Sequence, residues 1–275
     1  MEMRLKQKRP KARAGARKPS SGLVWTARIL MVVSFLVGFW DPVQATEEKA
    51  PFLPGERLTF ELRWTVIPAG EAVLEVLPVQ TVNGIESYHF ALTARSNAFI
   101  DHFYKVRDRI DAFADTAMSG SVLYLKKQHE GRTRRDIQVT FDRNDLKADY
   151  FRSGKKKKQI DIPSGTFDPL SVFYYSRWVN LSENMEIQRP VSDGQKSVIG
   201  RARVVRRETL TLACGEFDTF LIEPEVEEIG GVFEKCKDAK IQVWVTADQR
   251  RIPVKIQSRV AVGTFVGELV AAEGI

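Results

Sequence analysis

Catalysis by a nucleophile needs a Ser or Cys within reach of a base, and a third group to orient that base. This 275-residue chain has three histidines, His89, His102 and His129, and two cysteines, Cys214 and Cys236. It has no Gly-x-Ser-x-Gly elbow, and Gly120-Ser121 and Ser164-Gly165 read as turns. Each histidine reads as a strand residue that faces water or holds a hydrogen bond. Metal binding needs clustered ligands, and the nearest approach is Asp101-His102 with Asp108 and Asp111. On a strand, Asp108 and Asp111 point to opposite faces. Arg107-Asp108-Arg109 reads instead as cross-strand ion pairing with Arg132, Arg134, Arg135 or Asp136. The acidic run Glu223–Glu228 reads as a solvated loop, although carboxylates paired in space for glycoside hydrolysis leave no spacing signature. No Gly-rich phosphate loop joins a strand to a helix. The expectation is therefore a chain without catalytic residues, metal or cofactor.

The elements that carry these residues follow period two. Leu58, Phe60, Leu62 and Trp64 alternate with Thr59, Glu61, Arg63 and Thr65, which is the pattern of a half-buried strand. Pro68-Ala69-Gly70 reads as a turn leading into Glu71–Leu77. Asn83-Gly84 reads as a hairpin turn, because both residues tolerate positive φ. Strands are then expected at Ser87–Ala94, Phe103–Ala114, Gly120–Glu130, Thr133–Phe141 and Lys147–Ser153. Lys155–Lys158 suits a solvated hairpin tip or edge strand, since lysines blunt exposed edges; a phosphate- or lipopolysaccharide-facing patch is the alternative. Asp168-Pro169 supplies an N-cap and a first-turn proline, and Leu170, Phe173, Tyr174 and Leu181 recur near helical spacing. One helix is expected over about 169–180, packed on the sheet. Further strands are expected at Glu186–Pro190, Lys196–Val205, Glu208–Ala213, Phe217–Glu223, Ile241–Thr246, Arg251–Arg259 and Thr264–Val270, with a bend at Gly230-Gly231. A sheet of this size must close, fold over or be covered. The fold class is mainly β: a large curved antiparallel sheet forming an open or closed barrel, or a sandwich, with one packed α-helix.

Charge places the first 45 residues apart. The chain carries a formal net charge of +7, from 42 Lys/Arg and 35 Asp/Glu. Positions 1–45 hold nine of the former and two of the latter, which leaves 33 of each sign in the remainder. The high isoelectric point belongs to the leader and does not argue for nucleic-acid binding. A basic segment, the apolar run Ile29–Trp40 and Val43-Gln44-Ala45 have the parts of a secretory signal, with cleavage expected after Ala45. A membrane helix needs about 20 apolar residues, so an inner-membrane anchor over 23–40 is the alternative. Residues 46–54 read as a linker and 55–275 as a single antiparallel β domain. The expected location is the periplasm, with membrane contact only through the N-terminal segment. Export makes a disulfide between Cys214 and Cys236 available; a strand running away from Cys214 works against it, and both states stay open.

Four ordered strings, PGERLTFELRWTVIPAGEAVLEV (54–76), FDPLSVFYYSR (167–177), GEFDTFLIEP (215–224) and VWVTADQRRIPVKI (243–256), resemble the bacterial "domain of unknown function 3108" family over about residues 53–270. The resemblance implies an exported, β-rich protein and supplies no catalytic residues.

The functional expectation is a binding or carrier-like module for an apolar or envelope ligand, with Trp64, Phe90, Trp178 and Trp244 on a concave face. The partner would be a lipid or another envelope protein. A structural or assembly role through protein contacts and a cell-envelope hydrolase are the rival readings.

Overall fold

A computed structural model describes residues 50–225, 240–260 and 263–275. The described strands are β1 (Arg57–Trp64), β2 (Ile67–Val82), β3 (Ile85–Ser96), β4 (Arg107–Asp115), β5 (Ser121–Glu130), β6 (Thr133–Asp142), β7 (Lys147–Arg152), β8 (Lys155–Asp161), β9 (Glu186–Ser192), β10 (Ser197–Leu212), β11 (Gly215–Pro224), β12 (Lys240–Thr246), β13 (Pro253–Val260) and β14 (Gly263–Glu273). Two helices join them, α1 (Ala98–Asp101) and α2 (Pro169–Trp178). The strands form one antiparallel sheet in the order β8-β7-β6-β5-β4-β3-β2-β1-β14-β13-β12-β11-β10-β9. The first and last strands pair in its middle, so its edges, β8 and β9, come from the middle of the sequence.

The edges do not pair with each other, yet the sheet curls until they approach. Lys158 Nζ donates to the Gln195 carbonyl at 2.5 Å. In the β9–β10 turn, Gly194 lies so close to β6 that a Cβ there would meet Val139 at 2.8 Å; only glycine lets this backbone approach. The segment after β8 bridges the remaining gap. Ser121 N–H donates to the Thr166 carbonyl (3.0 Å), Phe167 N–H to Pro190 (2.9 Å), and Ser192 N–H back to Phe167 (2.9 Å). The backbone groups of this strap are thereby satisfied without a continuous ladder.

Several expectations are corrected. The chain reverses at Thr65-Val66, with Thr65 at φ 57, rather than at Pro68-Ala69-Gly70. Those three residues belong to β2, which bulges at Ala69. The two strands expected across 196–213 are one, β10, kinked by a bulge between Val204 and Arg206. The helix α1 occupies residues expected to lie outside a helix, and His102 caps it instead of sitting on a strand. The helix α2 stops at Trp178, because Val179 turns to an extended conformation. Asn83 and Gly84 both take positive φ (51 and 80) and close a tight hairpin. Lys155–Lys158 lie exposed on the edge strand β8. Gly230-Gly231 lie outside the described residues.

Candidate functional site: the concave face of the sheet

Strand register divides the concave face into two halves. The lower half lies toward the turns at 83–84, 116–120 and 247–252; the upper half lies toward those at 65–66, 97–106 and 131–132. In the lower half the face is filled. The Tyr174 ring of α2 stacks on Phe90 at 3.9 Å, and Phe52 sets its edge against Phe90 (5.2 Å), Tyr88 (5.2 Å) and Tyr174 (5.4 Å). Trp178 lies 6.0 Å from Phe52. Phe90 and Trp178 are thus brought together, but as packing around Phe52 rather than as walls of a groove. Two polar devices hold this plug. Arg177, with no exposed surface, donates to both carboxylate oxygens of Glu56 (2.6 and 2.8 Å) and to the carbonyls of Pro51 and Arg250. Its guanidinium lies over Phe52 and Tyr174. At the other end of α2, Asp168 caps the helix by accepting from Leu170 and Ser171 N–H. Asp168 also accepts from Ser121 Oγ (2.5 Å), while its own N–H donates to Ser121 Oγ (2.8 Å). Burial raises the Asp168 carboxyl above its ordinary range, against the pull of these bonds. Read in sequence, Ser121 was only a turn residue.

In the upper half nothing described covers the same face. Registers carry the inward direction from Phe60 to Leu62 and from Phe90 to Leu92 and Ile110. Across β14, β13 and β12 the same direction reaches Ile256 and Ile241. All five side chains are half-buried. At the mouth, Trp64 faces inward in register with Phe265 and stacks on it at 6.4 Å; both stay exposed, 39% and 42%. Polar residues interrupt this lining: by register Lys126, Gln128, Arg135 and Arg152 share the inward face with Ile110 and Ile137. Asp108, whose backbone lies opposite Ala94, turns inward beside Glu130 and accepts from His129 N–H. Burial, together with the neighbouring Glu130 and against the His129 bond, raises its carboxyl.

Trp244 lies elsewhere. It alternates with Val243 and Val245 and points to the outer face, where Nε1 donates to Glu208 (2.8 Å) and Lys255 sits over the ring. A single run of apolar residues, Val243-Trp244-Val245, conceals this, because both of its faces are buried. The outer wall also carries the charges expected to pair across strands. Arg109 instead pairs with Asp111 two residues along β4 (2.6 Å), since its own cross-strand neighbour is Lys127; Arg107 pairs with Asp101 (2.6 Å). Burial would raise Asp111, but bonds from His89 (2.9 Å) and Arg109 prevail and hold its carboxyl at about 2. His89 has Gln80 as its other partner (3.2 Å).

A cleft of about 590 Å³ opens at the lower end, between the β10–β11 turn, the β12–β13 turn and the end of β14. Two ion pairs line it, Arg207 with Asp218 and Arg250 with Asp248, together with Glu216. The Cys214 thiol in its wall donates to the Leu269 carbonyl at 3.0 Å, and no histidine lines the cleft to serve as its base. Cys236 lies outside the described residues.

One solved structure shares this architecture. A "Beta-barrel-like Protein of Domain of Unknown Function DUF1849 from Brucella abortus" superposes with a TM-score of 0.53 at 13% identity, covering 80% of this chain and 98% of its own. That likeness shows the fold. Two others are too remote to carry an argument. A "putative lipoprotein" from Parabacteroides distasonis has a TM-score of 0.32 at 9% identity, covering 80% and 95% of the two chains. A "putative exported protein with YmcC-like fold" from Bacteroides fragilis has 0.30 at 10%, covering 81% and 97%. No curated protein matches the chain significantly. The family described as "Protein of unknown function (DUF3108)" matches residues 59–270, and the chain belongs to it.

Proposed function

We propose that this chain is an exported, non-catalytic envelope protein that holds the apolar part of a ligand, such as an acyl chain, in the upper half of its concave face. The observation that carries this reading is the contrast in filling. Leu62, Leu92, Ile110, Ile241 and Ile256 line that half and stay only half-buried, while the lower half is plugged by α2 and Phe52. Apolar side chains left in partial contact with water gain from a ligand that covers them, by roughly 25 cal/mol per Å². Trp64 and Phe265 stand where such a ligand would enter, and Asp108 beside Glu130 offers a polar end to orient it. The basic leader and its apolar run support export to the periplasm. Among the described residues, Cys214 and the histidines lack a base–nucleophile arrangement, which favours carriage over hydrolysis.

Native mass spectrometry of the protein recovered from the periplasm tests the reading. The expected species has the mass of residues 46–275 with an extractable lipid bound, and Ile110→Trp, which fills the upper concavity, strips most of that lipid. A bare polypeptide of the same mass overturns carriage. Retention of the chain in the cytosol overturns export.

A further inference from the structure

We propose that the upper end of the curled sheet rests on an anionic membrane surface, with an aromatic rim entering the headgroup layer and a basic corner facing lipid phosphates. The rim is built from loops that are fastened to one another. Thr65 N–H, in the β1–β2 turn, donates to the Thr264 carbonyl at 2.6 Å. Asn97, which caps α1, donates from Nδ2 to the Pro68 carbonyl (2.7 Å) and from N–H to Ala69 (2.9 Å). Gly131, in the β5–β6 turn, donates to the Lys105 carbonyl at 2.8 Å. These bonds place Val66, Phe99, Phe103 and Tyr104 on one edge, exposed by 83%, 76% for Phe103, 58% for Phe99 and 52% for Tyr104. Phe99 and Phe103 pack edge to face at 5.5 Å, so the rim is partly ordered before it meets anything. Large apolar side chains this exposed, and contiguous, mark an interaction surface.

Charge selects the partner. The rim continues through Ser153 N–H, which donates to the Asp136 carbonyl at 2.8 Å and joins the β7–β8 turn to β6. At this corner Arg132, Arg134, Arg135, Arg152, Lys155 and Lys157 are all exposed, against the single exposed acid Asp136. Elsewhere at this end, Asp101 is neutralised by Arg107, and Glu130 and Asp108 lie beside Tyr104. Aromatic rings beside a cluster of Lys and Arg suit the water–lipid boundary, where rings lie at headgroup depth and cations meet phosphates. A protein partner would have to supply both an apolar pocket and a dense acidic patch. This contact extends past the carrier reading and does not depend on it, since the rim tips, Arg132 and Arg134 lie off the inward row, whereas Arg135 and Arg152 continue that row from Ile137.

Residues 49–275 form one compact unit that contains every core residue described, so this fragment, without the basic leader, is the one to test. It is sedimented with vesicles of phosphatidylcholine alone and of an equal mixture with phosphatidylglycerol. The expected result is binding to the mixed vesicles that weakens with salt. Val66→Asp with Phe103→Asp, and separately Arg132→Glu with Arg134→Glu and Lys157→Glu, each lower the partition coefficient by at least about tenfold while far-ultraviolet dichroism stays unchanged. Failure of the parent fragment to bind mixed vesicles overturns the proposal, as does equal binding by either folded variant. Occupancy of the concave face, read by native mass spectrometry on the same variants, stays at the parent level; a loss there alone points to the ligand site and against a membrane contact.

Discussion

The two ends of the curled sheet are made from the same strands and finished in opposite ways. At the lower end α2 and Phe52 pack against the concave face. Phe52 fills the space between Phe90 and Tyr174, Arg177 finds Glu56, and Asp168 finds Ser121. At the upper end the inward aliphatic residues are half-covered, and the loops carry aromatic rings into solvent. A buried charge is tolerated only when it is paired and hydrogen-bonded, so the lower end is committed to one arrangement. The upper end has no such constraint and is free to present a surface. The difference separates a half whose inward face is packed from a half whose inward aliphatic residues stay partly exposed.

The sharpest way to break this contrast is Glu56→Ala, which strands the Arg177 guanidinium in the core. Urea unfolding should show a loss of about 3–5 kcal/mol. Replacing both partners, Glu56→Leu with Arg177→Met, should recover most of it; no recovery would mean that the pair does more than neutralise itself. Ser121→Ala removes a donor and an acceptor from Asp168 together, and a loss of about 1–3 kcal/mol is expected by the same measurement. An unchanged midpoint would show that the strap bridges the open sheet without that contact. At the upper end, Phe103→Ser should shift stability by no more than about 0.5 kcal/mol. A larger loss would mean that the rim belongs to the folding core after all.

Much of the strand pattern was legible because alternation has a period of two residues. The segment Leu58–Trp64 shows its inner row directly, and Asp168-Pro169 announces the helix through a cap that needs only local bonds. The misreadings are equally physical. The strand β10 looked like two because a bulge interrupts its period, and Trp244 looked inward because both faces of β12 are buried. The candidate site was half legible. Trp64 lies at the mouth and Phe90 on the concave face, but Phe90 and Trp178 are consumed by packing.

By itself the sequence determined which residues share a face along most strands, where most turns fall, and that a basic N-terminal segment precedes a charge-balanced body. Each of these depends on neighbours a few positions apart. Only the tertiary structure decided which half of the concave face is filled. The bonds that decide it join Ser121 to Asp168 across 47 residues and Glu56 to Arg177 across 121. Period-two alternation defines a face; what covers that face depends on how far the sheet curls and which distant segment enters it.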